Sequence, residues 1–333
     1  MRPARRVRVE DVAREAGVSP ITVSRALNAP HLVREETRER VTDAVARTGY
    51  VVNSIASTLR SGRSDIVTVF VASLQNPHLA AEAQGIIDAF QASRYRLMFA
   101  QTGWRGELTA DLIDSVLPFR PAGMILAGVG GDRITRRSLI NLDVPIVEMG
   151  ERAHAVDMLV QYSSFEAGRL MGEHFGQRGF RTVAFCGHTL GHGERRLDGF
   201  ESALKAFGVT PSVVLSIEGN QSVSDGVASI ERVLSQQPDC EAIFYGSDLL
   251  AMGALIEARR RGLDVPGQLA IGGYGDLDFA RHLDPPLTTI KISDYDIGHL
   301  AGERLLARLE GEASHPQIVT LPIDIVVRRS TAA

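Results

Sequence analysis

Two sets of polar side chains in this 333-residue chain are spaced to do chemistry. The first is dense: Ser19, Pro20, Ile21, Thr22, Ser24, Arg25 and Asn28 bring hydroxyl, guanidinium and amide groups into one short stretch. Such groups hydrogen-bond base edges and phosphates when a helix enters a DNA groove. The second set is dispersed and lies at the ends of apolar runs. Ser73, Gln75, Asn76 and His78 close the run from Ile66 to Leu74, Glu148 sits in VPIVEMG, Ser247 follows AIFYG, and Asp276 follows GGYG. Donors and acceptors gathered there suit a small polar ligand.

Other chemistries find little support. Neither a GxxxxGK[ST] phosphate loop nor a GxSxG nucleophile elbow is present, and Gly272, Gly273 and Gly275 do not meet the GxGxxG spacing. His188 and His192 suggest a metal pair, but lack further ligands at suitable spacing. No catalytic residue, metal or cofactor is therefore assigned.

The elements that must position the first set are legible. Val9, Val12, Ala13 and Ala16 recur at helical spacing, opposite Glu10, Asp11, Arg14 and Glu15. Gly17 ends that helix as a left-handed cap. Ser19 then caps a second helix with Pro20 at its first position, where a missing N–H costs nothing. Val23, Ala26 and Leu27 face inward, which leaves the polar set outward, as in a recognition helix. A third helix is read over Glu35 to Thr48.

The second set needs a different frame. From Ser64 onward, runs such as RLMFAQ, GMILAGV, MLVQY, TVAFCG, SVVLSI and LAIGGYG are apolar throughout and alternate with helical segments. That pattern argues for parallel strands buried on both faces. A break near Tyr162 to Phe165 divides the series into two α/β halves.

Composition agrees with a soluble, two-part protein: 44% of residues are hydrophobic and 23% charged. Charge is uneven. Residues 1–63 hold 12 Arg against 7 Asp and Glu, although the whole chain carries −4, so the positive end is the one suited to DNA. Cys186 and Cys240 form no disulfide framework or metal spacing, as in a reduced cytoplasmic protein. No signal peptide and no apolar run of membrane-spanning length is read.

DVAREAGVS, TVSRALN, ETRERV, Gly49-Tyr50 followed by Asn53, and Ala56 with Leu59 stand in the order and spacing of the lactose-repressor (LacI-type) regulators, and the chain closely resembles that family. The resemblance implies a helix-turn-helix headpiece over residues 1–49, a hinge over 50–63 and an effector-binding, dimerising core over 64–333. That core would be two-lobed like a periplasmic sugar-binding protein, with parallel sheets and helices on both faces. Its N-lobe would span about 64–162 and 294–321, its C-lobe about 163–293 and 322–333. Asn53, Ala56 and Leu59 would act in the hinge, with Leu59 wedged into the minor groove. Arg196, in RLDGF, would hold the effector. The implied partners are palindromic operator DNA, a second copy of the chain and a small effector.

The chain departs from the family pattern at several positions. Arg8 and Arg34 stand where Ser or Thr caps are usual, Val52 replaces a common Pro, Ser57 a common Arg or Gln, Ser163-Ser164 a usual Asp-Asn, and Ser247 a frequent Asn. Ser293-Asp294 falls where Pro or an aromatic ring is often found. ASLQNPHLAAEAQGI, SSFEAGR and GYGDLDFA look most like the gluconate-operon branch, which makes a sugar acid such as gluconate the leading effector and a neutral sugar the alternative. The implied function is repression of a carbohydrate-utilisation operon, relieved by the effector. A co-repressor would reverse that sign. A solute-binding protein would need an export signal, and a sugar-modifying enzyme would need one of the missing motifs.

Overall fold

A computed structural model describes residues 7–28, 30–50, 64–103, 106–130, 133–152, 154–312 and 317–332. Contacts divide the chain into two compact units, Met1–Ser64 and Asp65–Ala333.

The first unit holds α1 (Val9–Ala16), α2 (Pro20–Asn28) and α3 (Glu35–Thr48). Val12, Ala13, Ala16, Val23, Ala26, Val41 and Ala44 are buried together. Small and β-branched residues make the core thin, so the three helices approach closely. Gly17 takes φ 63°, and the N–H groups of Gly17 and Val18 donate to the carbonyls of Arg14 and Ala13, the double bond of a left-handed C-terminal cap. Arg8 supplies no capping side chain; instead its N–H donates to Asp11 Oδ2 at 3.0 Å. Arg34 likewise makes no side-chain cap on α3. Arg40 Nη2 donates to the Ala16 carbonyl at 2.5 Å, tying α3 to the end of α1.

The second unit contains two six-stranded sheets. One is built from β1 (Ile66–Val71), β2 (Arg96–Gln101), β3 (Gly123–Ala127), β4 (Ile146–Met149), β5 (Met158–Gln161) and β11 (Ile318–Thr320), in the order β11-β5-β4-β3-β1-β2. The other is built from β6 (Val183–Gly187), β7 (Val213–Ser216), β8 (Ala242–Tyr245), β9 (Ala270–Gly275), β10 (Thr288–Lys291) and β12 (Asp324–Val326), in the order β12-β10-β9-β8-β6-β7. Pairing is parallel except between β10 and β12. Both faces of each sheet are apolar. Val67, Val69 and Val71 enter one cluster and Phe70 another; Ala184 and Cys186 enter one, Val183 and Phe185 another. Period-two alternation thus feeds two covered layers.

The chain passes between sheets three times, after β5, after β10 and after β11. Each sheet is doubly wound, with its order reversing beside its first strand, β1 or β6, so ligand-binding loops collect at the strands' carboxyl ends.

Two helix pairs hold those loops. Pro77–Phe90 (α4) packs on Asp294–Leu309 (α11), and Ser164–Arg178 (α7) on His192–Lys205 (α8). Glycines allow both crossings. A Cβ on Gly298 would overlap the Glu82 carbonyl, and one on Gly199 would overlap the Phe165 carbonyl. An aromatic stack then clamps α8 to its sheet. Phe200 lies 5.7 Å from Phe175 and 5.2 Å from Phe244, centroid to centroid, within the range of favourable aromatic pairs.

Candidate functional sites: a DNA-binding helix and an interlobe cleft

On α2, Ser19 caps the helix: its Oγ accepts the Thr22 N–H at 3.1 Å and lies 2.9 Å from Thr22 Oγ1. Those two hydroxyls are occupied with each other. Pro20, Ile21 and Arg25 are exposed, Ile21 at 66% of its surface, and Asn28 is the last residue of the helix. An exposed isoleucine in the first turn of a polar helix is left without apolar cover in this unit. Asn53, Ala56 and Leu59 lie outside the described residues.

In the second unit, the carboxyl ends of the strands form a cleft between the two sheets. Ser73 is buried, and its Oγ accepts the Gln75 N–H. Gln75 reaches across to Asn220, whose Nδ2 donates to it at 3.2 Å. Asn76 caps α4 by accepting the His78 N–H at 3.0 Å. His78 then pairs through Nδ1 with Asp294 Oδ2 at 2.6 Å. Burial opposes charge on this ring, but Asp294, by charge and hydrogen bond, outweighs it and holds the pKa above the ordinary histidine value. Glu82, one turn on, is driven well above the carboxylate range by burial and by Asp294.

Arg196 comes from α8. Its guanidinium lies over the Tyr274 ring, 3.5 Å from the centroid, and Nη1 donates to the Gly246 carbonyl at 2.8 Å. The stack fixes the plane of the cation. Gly275 is needed beside it, because at φ 133° any Cβ there would overlap the His78 ring.

Four buried polar atoms in this region find no partner among the described residues, His78 Nε2, Glu82 Oε2, Asp294 Oδ1 and Arg196 Nε, while the Tyr274 hydroxyl interacts with that of Tyr162. Buried polar groups are ordinarily satisfied, so this concentration marks a place for a ligand or water. Tyr274 and Glu82 carry no local sequence signal for this site; Asp294 stands out in the sequence only as a departure from the family pattern, and His192 only as half of a suggested metal pair with His188. Their shared signal is proximity across sheets, which no local pattern carries.

Other expected groups are already engaged. Glu148 accepts from Arg136 Nη1 at 2.6 Å and Nη2 at 3.5 Å, and from the Val156 N–H. It does not pair with Arg196; Arg136 on α6 (Arg133–Ile140) and the loop before β5 consume it. Asp276 pairs with Arg328 at 2.7 Å, so it braces the C-terminal segment. Ser247, not Asp248, caps α10 (Asp248–Arg260), accepting the Leu249 N–H. Asp248 accepts from Thr289 Oγ1 at 2.6 Å and from the Leu277 N–H at 2.8 Å. His188 and His192 are joined by no metal-like group of three or more ligands among the described residues.

A helical headpiece with an outward second helix, followed by two parallel sheets around a polar cleft, defines a DNA-binding regulator with a ligand-binding core. Comparison with known proteins agrees. Residues 8–53 match the model of bacterial regulatory proteins of the lacI family, and residues 173–331 match a periplasmic binding protein-like domain. The HTH-type transcriptional regulator GntR of Pseudomonas aeruginosa is 33% identical over 328 residues, 97% of this chain and 95% of that protein. GntR of Escherichia coli is 31% identical over 317 residues, covering 94% and 95%. Among solved structures, a LacI-family regulator from Silicibacter pomeroyi superposes with TM-score 0.90 at 28% identity over 98% of this chain and 99% of that one. The chain belongs to the LacI family of bacterial transcription regulators. These relatives are regulators, not enzymes, and among the described residues no helix is long and apolar enough to cross a membrane.

Proposed function

We propose that this regulator is a cytoplasmic, homodimeric repressor of a carbohydrate-utilisation operon, and that an acidic sugar such as gluconate releases it from a palindromic operator. The observation that carries the acidic effector is Arg196: a buried cation held flat on Tyr274 with Nε unpartnered. An effector carboxylate can take that N–H while sugar hydroxyls meet His78 Nε2, Asp294 Oδ1 and the Tyr274 hydroxyl. Ser73, Gln75, Asn76 and Ser247 frame the same strand ends. Glu148 and Asp276 support the walls through their arginines.

Homology gives the rest of the reading its support. The lac repressor dimer has been solved on its operator, and the CelR regulator with cellobiose. Here Pro20, Ile21 and Arg25 would meet the major groove, with Ser19, Thr22, Ser24 and Asn28 toward its flanks and phosphates. Asn53, Ala56 and Leu59 would serve the hinge. Effector binding favours a core arrangement that separates the paired hinges, and linkage requires operator to weaken effector binding by the same factor.

The test is a thermal-shift screen of sugars and sugar acids, followed by operator anisotropy with each hit. Gluconate should raise the melting temperature and release operator. Release by glucose but not by gluconate would refute the acidic effector, and tighter operator binding with gluconate would make it a co-repressor.

A further inference from the structure

His192 has no part in the reading so far, yet it stands on the same helical face as Arg196. It is the first residue of α8 and Arg196 follows four positions on, so both side chains project from one side of the opening turn. Arg196 contributes a sign of a ligand, its buried and unpartnered Nε. Across the cleft, His192 Nε2 comes within 3.2 Å of where a Cβ on Gly150 would sit. The ring therefore meets the opposite lobe at the end of β4.

The charges around it are unbalanced. Arg152 follows Gly150 by two residues and donates to the carbonyls of Val129 at 2.6 Å and Glu151 at 3.1 Å. Neither acceptor is an anion. The nearby carboxylates make their direct bonds elsewhere, Glu148 to Arg136, and Glu151 to the Ser164 N–H at 2.9 Å and to Arg195 at 3.7 Å, although Glu148 still favours the Arg152 charge through space against Arg136. Glu194, on the same turn as His192, is exposed. Burial, then Arg152 and Arg196, depress the His192 pKa to about 4. His188, at the end of β6, is lowered by burial and Arg196 against Glu218.

We propose that His192 is a proton-gated anion receptor: an acidic effector lying between Arg196, Arg152 and His192 offsets their positive field, and the ring takes up a proton and donates to that anion. This rests on the acidic-effector reading above. It assigns His192 a specificity role, because only a charged ligand brings the second donor into being. Binding consumes a proton, so affinity rises as pH falls toward the free-protein pKa, by up to about tenfold per unit for one proton. A neutral sugar gains nothing.

Isothermal titration with gluconate, glucose 6-phosphate and glucose, at pH 5.5, 6.5 and 7.5 in buffers of different ionisation enthalpy, tests the proposal on the full-length protein. For the anionic probe that binds, wild type should take up a proton at pH 5.5 and bind about tenfold or more tightly there than at pH 7.5. His192→Gln should lose most of both effects and His188→Gln should keep them, with the His78–Asp294 pair as a common background. Gluconate alone showing the effect identifies a carboxylate site, and glucose 6-phosphate alone a phosphate site. Nitrogen NMR of His192 in wild type at pH 6 gives an independent reading: the ring should turn from neutral to cationic when the anion is added. Anion binding with no change at His192 overturns the gating but not the acidic effector. Binding of glucose only overturns the acidic effector, and the gating with it.

Discussion

Two histidines face the interlobe cleft from opposite walls and are driven in opposite directions. His78 sits on Asp294 and is held above the ordinary histidine pKa; His192 sits among burial, Arg152 and Arg196 and falls to about 4. Burial disfavours charge on both rings, so burial cannot account for the difference. The difference lies in the neighbouring charge: a carboxylate at 2.6 Å overcomes burial at His78, whereas at His192 burial is reinforced by Arg152 and Arg196. One cleft thus holds one ring whose protonation is favoured by a carboxylate and another whose protonation is opposed by its surroundings.

The largest expected effect comes from removing the cation they share. Arg196 lowers both rings electrostatically, and it is the proposed effector anchor. Arg196→Ala should cost about 2–5 kcal/mol of effector affinity, as when one partner of a buried, hydrogen-bonded charge pair is truncated. Calorimetry would check this, and operator affinity without effector should hardly change. The His192 pKa should also rise in the variant by NMR titration. An unmoved His192 would show that burial alone depresses it, and the contrast with His78 would lose its explanation.

The next effect is on stability against pH, and the two rings predict opposite slopes. His192 binds its proton less readily folded than unfolded, so stability falls as pH drops from about 6.5 to about 4. The full shift corresponds to about 3 kcal/mol as an upper bound. His78 binds its proton more readily folded, so its contribution is present below about 6.5 and fades as pH rises through the folded value. Urea unfolding from pH 4.5 to 8.5 separates them: His192→Gln should flatten the acid limb and His78→Gln the alkaline limb. Identical profiles for the two variants would break the comparison.

How much of this was legible in the sequence follows the range of the forces involved. The headpiece helices, the Gly17 cap and the Ser19-Pro20 start depend on neighbours within a few residues, and the sequence alone shows them. The parallel α/β core follows as directly from apolar runs such as IVTVFV. β10 (TTIK), β11 (IVT) and β12 (DIV) are short and carry Thr, Lys or Asp, so no apolar run marks them as it marks the equally short β5 and β7. The site is harder because its partners are remote. Asp294 meets His78 only because Gly85 and Gly298 let two helices touch, and Glu148 meets Arg136 instead of the cleft because α6 passes over β4. His192 was legible only as half of a metal pair with His188; its position on the Arg196 face needed the start of α8.

Asp294→Asn gives a smaller change and sharpens the His78 side. Amide keeps the shape and one acceptor but removes the charge, so burial and Arg196 are then opposed only by Asp248 and His78 should titrate below about 6.5. Loss of a charge-assisted hydrogen bond should cost about 1–3 kcal/mol of stability near pH 6, less at high pH where the ring is already neutral. Proton NMR of His78 and thermal unfolding at both pH values check this. A His78 pKa still above the ordinary value would mean that Asp248, which also favours the charge, supplies it.

The smallest effect belongs to an exposed, uncharged polar bond that bridges the lobes at the rim. Gln75 and Asn220 meet at 3.2 Å, but both reach solvent, where water replaces either partner with little loss. This contact resembles the His78 and His192 contacts in joining opposite walls, and differs in its exposure and lack of charge. A double-mutant cycle with Gln75→Ala and Asn220→Ala should therefore give a coupling below about 0.5 kcal/mol in unfolding free energy, and effector affinity should stay within about twofold of wild type. Coupling above about 1 kcal/mol would mean that the exposed rim bond helps hold the two walls together despite the water around it.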